Sequence, residues 1–180
     1  MYLRRLKEKD SILMLEWMHD ENVIENMAAD FIHMTLDDCE RFIIKSNRDE
    51  KHNINRAICT DEDEYLGTIS LKNISYTDKN AEYAIILRRG AMGSGAAKFA
   101  TREILKIAFN DVGLHKVYLC VRSGNIRAQK FYDKIGFRKE GNFIDHVVNK
   151  NGVYENLIWL AIMKEEFDKL EEDESERNNE

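Results

Sequence analysis

The sequence predicts a mixed α/β domain with an antiparallel portion. Two observations support this class: apolar residues alternate in some segments and follow helical periodicity in others, and three strand-like segments succeed one another between residues 54 and 87. A chain of 180 residues is long enough to bury the core of one domain. We therefore expect one domain over residues 1–170 and an acidic, disordered tail over residues 171–180.

Local patterns place the individual elements. Seven strands are predicted, at residues 2–6, 54–60, 65–73, 81–87, 116–121, 137–145 and 155–162. Four helices are predicted, at residues 11–19, 35–45, 97–110 and 125–135. Thr35 has an N-cap residue type with an acid three positions later, and Gly136 is well placed to end the last helix.

The formal net charge of −6 comes mostly from the end of the chain. Residues 171–180 hold six acids and one base, so the rest of the chain is close to neutral. Such a domain lacks the basic surface of an electrostatic nucleic-acid binder. No segment approaches the ~18 apolar residues that span a bilayer, and the first residues show no signal-peptide pattern. We therefore expect a cytoplasmic protein with no nucleic-acid or membrane partner.

The three cysteines, Cys39, Cys59 and Cys120, lack the spacing of a metal site or of a disulfide framework. Cys59 and Cys120 lie in apolar strand segments, which predicts buried structural thiols. No metal site is expected.

Three glycines occur within residues 90–95, between a predicted strand and a predicted helix. Such a loop presents backbone N–H groups at a helix N-terminus, where the helix dipole favours phosphate. Glycine lets the backbone approach the phosphate without a Cβ in the way. The loop lacks the Gly-Lys-Ser/Thr of a P-loop and the spacing of a dinucleotide fingerprint. On these residues alone, a phosphate site and a plain tight turn both stay open.

Four segments together carry a resemblance to a known superfamily: Ala81–Leu87, Met92–Ala97, Leu114–Leu119 and Asn125–Phe137. In this order they resemble the GCN5-related N-acetyltransferase (GNAT) superfamily, specifically its bacterial branch of polyamine, ribosomal-protein and nucleotide-amino-sugar acetyltransferases. The resemblance implies a single-domain GNAT fold, in which about four helices flank a mixed central sheet of about seven strands. It also implies that the sheet is splayed between the strands at Ala81–Leu87 and Lys116–Val121, which admits the pantetheine arm of acetyl-coenzyme A (acetyl-CoA).

The superfamily's loop signature is Gln/Arg-x-x-Gly-x-Gly/Ala, which this sequence matches at Met92, Gly95 and Ala97. Met92 replaces the usual polar residue. Two roles stay possible for Arg88 and Arg89: they could supply compensating positive charge, or they could be ordinary solvated loop residues. The cofactor-binding residues that the resemblance implies are Ile86, Leu87, Met92, Gly93, Ser94, Gly95, Ala96, Ala97, Asn125, Ala128 and Tyr132.

Acetyl transfer from a thioester to an amine requires a neutral amine, a polarised carbonyl and a proton for the departing thiolate. The resemblance implies Tyr132 as the general acid, because the superfamily's tyrosine at this place points at the thioester sulfur. Glu82 is the predicted general base, acting directly or through water, since an acid within an apolar strand indicates a cleft. From the residues alone, Tyr132 also fits an apolar helix stripe, and Glu82 also fits an ordinary surface acid.

The N-terminal region usually shapes the acceptor pocket in this superfamily. The candidate pocket residues here are Trp17, His19, Asp20, Asn26 and Phe31, and Trp17 also fits a core position. We expect an acetyl-CoA-dependent N-acetyltransferase whose acceptor is a small primary amine, either a nucleotide-linked amino sugar or a polyamine. A protein N-terminus as acceptor and a non-catalytic acyl-CoA-binding module are the alternatives. A homodimer is a possible assembly.

Overall fold

The structure, a computed structural model, describes residues 1–27 and 29–177. These residues form seven strands and six α-helices, which confirms the mixed α/β class and the strand number. The strands are β1 (Tyr2–Arg4), β2 (Ile54–Cys59), β3 (Tyr65–Ser75), β4 (Asn80–Leu87), β5 (Lys116–Arg122), β6 (Arg138–Val148) and β7 (Tyr154–Met163). The helices are α1 (Asp10–Met18), α2 (Glu21–Ile24), α3 (Leu36–Arg48), α4 (Ala96–Lys106), α5 (Ile126–Ile135) and α6 (Lys164–Arg177).

The described residues divide into two compact units. The first consists of Met1–Ile74 and Glu82–Ile104, and the second of Ser75–Ala81 and the described residues from Leu105 onward. Neighbouring strands follow the order β1-β2-β3-β4 in the first unit and β5-β7-β6 in the second. Strand β2 pairs antiparallel with β1 and β3, and β7 pairs antiparallel with β5 and β6, so the predicted antiparallel portion is present.

An apolar cluster forms the core of the first unit. Its members come from α1, α2, α3 and the neighbouring strands, and they include Leu6, Met14, Trp17, Val23, Cys39, Ile43, Ala57, Cys59 and Tyr65. One carboxylate, that of Asp10, is buried beside this cluster with only 1% of its surface exposed. Both of its oxygens accept hydrogen bonds from the Arg4 guanidinium, at 2.7 and 2.8 Å, and Lys7 N donates to it at 2.8 Å. Removing either partner would leave a buried charge unpaired.

The Asp63 carboxylate holds the N-terminal segment against the turn between β2 and β3. It accepts hydrogen bonds from Tyr2 Oη at 2.7 Å, Lys7 Nζ at 2.8 Å, Lys9 Nζ at 2.6 Å and Arg4 Nε. These donors hold the pKa of Asp63 well below its ordinary value. The acidic turn at residues 61–64 therefore also organises the start of the chain.

Helix α3 begins with the cap that its sequence predicts. Thr35 Oγ1 accepts from Asp38 N at 3.3 Å, and the Asp38 carboxylate accepts from Thr35 N at 2.8 Å. The reciprocal pair is a capping box, which satisfies two backbone N–H groups that the helix itself leaves without partners. The Thr35 hydroxyl and the Arg41 guanidinium also bind Asp38, and together these contacts lower the pKa of that carboxyl to about 2.

Several boundaries differ from the predictions. Helices α2 and α6 were not predicted, and α2 in particular is a four-residue helix whose periodic pattern is too short to recognise. Residues 171–177, expected to belong to a disordered tail, continue α6 as far as Arg177, while residues 178–180 lie outside the described residues. The buried Phe167 ring anchors this helix 5.4 Å from the Phe109 ring, and Lys106 pairs with Glu171 at 3.6 Å.

Cys120 was predicted to be buried and is exposed. Its neighbours Val117, Leu119 and Val121 occupy the buried face of β5, so strict alternation turns Cys120 to the opposite face. Cys59 is buried as predicted. Within residues 1–27 and 29–177, no helix is long and apolar enough to cross a membrane.

The capping box of α3 gives a test of the fold. We expect Thr35→Ala to cost about 1 kcal/mol of stability, because the helix loses the side-chain acceptor of its first turn. For a chain of this size the melting temperature should fall by about 2–4 °C. Thr77→Ala is the matched control, since Thr77 is exposed in a turn and its hydroxyl bonds no described residue. Equal melting temperatures for the two variants would contradict the role of the cap.

Candidate active site

The glycine-rich loop joins β4 to α4 through a 3₁₀ turn at Arg89–Ala91. Gly93 and Gly95 then adopt φ values of +87° and +88°, a region that side chains with a Cβ rarely enter. Ser94 locks the turn, since its Oγ donates to Ala91 O at 2.7 Å and accepts from Ala96 N at 3.3 Å. The glycines are therefore required by backbone conformation, and nothing lies within 4 Å of a Cβ placed on either one.

The loop and the first turn of α4 leave backbone donors without acceptors. Among the described residues, no hydrogen-bond acceptor is present for the amides of Gly93, Gly95 and Ala97. Gly93 and Gly95 are exposed and Ala97 is half-buried, so an external anion can reach this part of the loop. Unpaired N–H groups at a helix N-terminus, reinforced by the helix dipole, suit a phosphate group.

Met92 occupies the position where the superfamily usually has a polar residue. Its side chain packs against the apolar cluster of the first unit, so it serves the core rather than an anion. The two neighbouring arginines are committed to carboxylates. Arg88 forms a bidentate pair with Glu16 at 3.0 Å and a second pair with Glu64 at 3.1 Å, and Arg89 pairs with Asp20 at 2.7 Å. Neither arginine has to serve as a compensating charge in the loop.

Ile86 and Leu87 end β4 and supply the backbone predicted to bind the cofactor's pantetheine arm. A Cβ on Gly67 of β3 would lie 2.1 Å from Ile86 O and 2.9 Å from Leu87 Cα, so only glycine permits this approach. Arg88 N donates to Leu66 O at 2.9 Å just beyond it. Gly67 was not predicted as a site residue, although an isolated glycine within a strand is a recognised signal of close backbone approach.

In the second unit, Asn125 begins α5 as predicted. Its side chain accepts from Ala128 N at 3.1 Å, and Gln129 Nε2 donates to Ser123 O at 2.8 Å, which fixes the turn before the helix. Gly136 ends α5 at φ +104°, the left-handed conformation of a C-terminal cap. The helix that carries Tyr132 is thus capped at both ends by residues that the sequence identifies.

Tyr132 is half-buried on α5 between two other aromatic rings. The Phe131 ring lies 5.3 Å away and the Phe137 ring 5.7 Å away, both edge-on. Burial raises the pKa of Tyr132 to about 12, because the phenolate would lose its hydration. The hydroxyl therefore carries its proton throughout the neutral range, as a general acid must before it donates.

Glu82 lies half-buried on β4, on the face opposite the buried Tyr83. Its Oε1 accepts from Lys72 Nζ at 2.7 Å and its Oε2 accepts from Asn73 Nδ2 at 3.1 Å. Each carboxylate oxygen can accept more than one hydrogen bond, so both retain capacity for a water or a substrate proton.

The predicted acceptor-pocket residues separate into core and surface groups. Trp17 is a core residue, because its side chain is buried and its Nε1 donates to Tyr65 Oη at 3.2 Å. Phe31 packs edge-on against Trp17 at 5.2 Å and stays half-buried. The alternative core role of Trp17 is therefore the one that the structure supports.

His19, Asp20 and Asn26 lie at the surface beside α2. His19 Nε2 lies 2.9 Å from Met34 O, and Asp20 caps α2 by accepting from Asn22 N at 3.0 Å. Asn26 is exposed, and its side-chain amide donates a hydrogen bond to its neighbour Glu25 at 3.2 Å. Of these three residues, Asp20 already forms an ion pair, with Arg89.

A protein-family model described as an acetyltransferase (GNAT) domain matches residues 1–138 of this chain. The chain belongs to the GNAT family. It is accordingly an acetyl-CoA-dependent N-acetyltransferase, and the family resemblance of its four sequence segments is confirmed.

Curated relatives of this GNAT enzyme extend along most of its length. Spermidine N(1)-acetyltransferase of Escherichia coli K12 is 28% identical over 169 residues, which cover 92% of this chain and 87% of the relative. The corresponding protein of Vibrio cholerae is 25% identical over 167 residues, covering 92% of this chain and 94% of the relative. A putative ribosomal N-acetyltransferase of Bacillus subtilis is 28% identical over 102 residues, covering 57% and 55%.

Solved structures support the GNAT fold. The spermidine N-acetyltransferase of V. cholerae, crystallised in complex with CoA and spermine, superposes with a TM-score of 0.83. The match covers 92% of this chain and 96% of that chain at 23% sequence identity.

The loop glycines provide a test of the anion site in this GNAT enzyme. We expect Gly95→Ala to weaken coenzyme A binding roughly tenfold, because a Cβ at φ +88° costs about 1–2 kcal/mol and moves the loop amides. Gly90→Ala is the matched control: Gly90 has no left-handed φ and has open space around its Cβ position. Titration calorimetry with coenzyme A measures both variants. Unchanged affinity in Gly95→Ala would argue against the loop as the phosphate site.

Proposed function

We propose that this enzyme transfers the acetyl group of acetyl-CoA to a primary amine of a polyamine such as spermidine. The observation that carries the acceptor class is the charge of residues 10–40, which contain nine Asp or Glu and no Lys or Arg. Spermidine carries several positive charges near neutral pH and is attracted to such a surface. The full-length similarity to spermidine N(1)-acetyltransferases supports the same acceptor.

Part of this acidic segment is neutralised within the protein and part is not. Arg4, Arg88, Arg89 and Arg41 pair with five of its acids, which are Asp10, Glu16, Asp20, Asp37 and Asp38. The exposed carboxylates of Glu21 and Glu25 have no cationic partner among the described residues. They are free to meet a polycation, whereas they would repel the phosphates of a nucleotide-linked amino sugar. Charge therefore favours the polyamine over the amino sugar.

Direct transfer fits the predicted catalytic residues. The neutral amine attacks the thioester carbonyl, so that an N–C bond forms and the C–S bond breaks. One proton leaves the amine and one is gained by the departing thiolate. We assign the second proton to the Tyr132 hydroxyl, whose raised pKa keeps it available. The first proton passes to Glu82 through water, because Lys72 and Asn73 already bind its two oxygens. In the loop, the amides of Gly93, Gly95 and Ala97 hold the cofactor's diphosphate.

A panel of acceptors tests the proposal. Release of coenzyme A thiol is measured with spermidine, spermine, a nucleotide-linked amino sugar and a peptide with the N-terminus of a ribosomal protein. We expect the highest kcat/KM with spermidine or spermine. A higher kcat/KM for the peptide or the amino sugar would identify that compound, rather than a polyamine, as the acceptor. Tight CoA binding without turnover of any amine would identify a non-catalytic module.

A charge variant links the acceptor to the acidic surface. In the double variant Glu21→Gln and Glu25→Gln, we expect KM for spermidine to rise roughly two- to fivefold at low salt, because two exposed attractive charges are removed. The difference should shrink as ionic strength rises. Glu165→Gln removes an exposed acid of α6 and serves as the control. Equal effects of both changes would indicate net charge rather than this surface.

Tyr132→Phe tests the general acid. We expect kcat to fall about 10²–10⁴-fold, with KM for acetyl-CoA nearly unchanged, because the ring packing is kept and only the donor is lost. In the unaltered enzyme, kcat/KM should increase as the pH is raised, because the amine loses its proton. No decrease is expected at any pH up to about 10, because the Tyr132 phenol keeps its proton over that range. Tyr118→Phe, which removes another hydroxyl from the second unit, should leave kcat unchanged. Full activity in Tyr132→Phe would remove this residue from the mechanism.

A further inference from the structure

Two buried hydroxyls connect β4 with the first turn of α4. Tyr83 Oη lies 2.7 Å from Thr101 Oγ1, and Thr101 Oγ1 donates to Ala97 O at 2.7 Å. Threonine has a single hydroxyl proton, which this second bond uses, so Tyr83 is the donor to Thr101. The two side chains are 3% and 0% exposed, so water does not compete for these bonds. We call this Tyr83–Thr101–Ala97 chain of hydrogen bonds the hydroxyl relay.

The hydroxyl relay is not what the helix needs in order to form. Thr101 lies on the buried face of α4 with Ala100 and Ile104, where an apolar residue of similar volume would also pack. A threonine within a helix is a poorer helix former than alanine or leucine, and its bond to the carbonyl four residues earlier tends to bend the helix. Two buried hydroxyls also cost desolvation unless both are satisfied. The arrangement therefore constrains one particular place, the carbonyl of Ala97.

The amide of Ala97 is one of the three, with those of Gly93 and Gly95, that lack an acceptor among the described residues. The first turn of a helix is free to fray, because its N–H groups make no hydrogen bonds within the helix. A bond to the Ala97 carbonyl from the buried side restrains this turn without occupying any of its amides. Restraint of this kind reduces the conformational entropy that the loop and the first helical turn lose when a ligand binds to them.

We propose that Tyr83 and Thr101 are positioning residues that hold the first turn of α4 in the geometry that binds the diphosphate of acetyl-CoA. This inference rests on the proposed function, since it requires the diphosphate to bind at this turn. It assigns a function to two side chains that touch neither the acetyl group nor the amine. The hydroxyl relay acts through the backbone of Ala97, and its effect is confined to ligands that carry the diphosphate.

A truncated donor separates positioning from general stability. The variants Tyr83→Phe and Thr101→Val keep the side-chain shapes and remove one hydroxyl each. With acetyl-CoA we expect KM, and the dissociation constant of coenzyme A, to rise roughly fivefold to tenfold while kcat stays within about twofold. With S-acetylpantetheine, which lacks the diphosphate, we expect kcat/KM to be unchanged. The double variant should be no worse than the poorer single variant, because both changes break the same chain of bonds.

Tyr65→Phe is a matched control in the same unit. Tyr65 Oη lies 2.7 Å from Thr68 Oγ1, and both residues are buried, but neither hydroxyl forms a hydrogen bond with a described residue of α4. We expect Tyr65→Phe to lower the melting temperature at least as much as Tyr83→Phe and to leave the coenzyme A dissociation constant unchanged.

The outcomes distinguish this inference from the proposed function. An unchanged coenzyme A dissociation constant in Tyr83→Phe, or an equal loss with S-acetylpantetheine, would overturn the positioning role alone. The same loss of affinity in Tyr65→Phe would overturn it as well, because stability would then explain the effect. Failure of the unaltered enzyme to bind coenzyme A would overturn both the proposed function and the inference.

Discussion

The proposed cofactor site depends on one constraint: backbone amides at the start of α4 must remain without partners in a folded protein. Unsatisfied donors are costly when they are buried, so Gly93 and Gly95 keep them at the surface. The left-handed conformation of both glycines then turns the chain sharply into the helix. Ser94 satisfies Ala96 N and leaves the adjoining amides unoccupied. Each neighbouring residue thus either shapes the loop or avoids filling it.

Met92 shows how the core and the loop share this constraint. A polar side chain at this position would contact the ligand directly, whereas methionine instead packs on the apolar cluster of the first unit. Binding then relies on backbone N–H groups, which no substitution at Met92 removes. Arg88 and Arg89, bound to carboxylates far away in sequence, tie the same loop to α1 and to the N-cap of α2. The loop thus lacks one side-chain contact to the ligand, but it is attached to the rest of the first unit through Met92, Arg88 and Arg89.

Features carried by short sequence patterns were predictable, and features that depend on distant partners were not. The Thr35 cap, the glycine loop and the Asn125 and Gly136 ends of α5 each arise from local backbone chemistry, and the structure has them where the sequence places them. The pairing of Arg88 with Glu16 joins residues that are 72 positions apart, and no local pattern encodes it. Cys120 was misplaced because the apolar character of its strand was used without its alternation. Gly67 had a recognisable signal, but its partner Ile86 becomes evident only in the folded chain.

The acidic segment shows why composition alone does not define an acceptor site. Nine acids without a lysine or arginine in residues 10–40 suggest a cation-binding surface, yet the fold brings arginines from outside the segment to five of them. Those paired acids stabilise the N-terminal strand, the glycine loop and α3, and their charge is already neutralised within the protein. Glu21 and Glu25 lie on and just after a four-residue helix, where they are exposed and form no ion pair with an arginine among the described residues. The attraction for a polycation therefore comes from the acids that no arginine pairs with among the described residues, and its strength is set by at most four carboxylates, those of Glu21, Glu25, Asp30 and Glu40, rather than by nine.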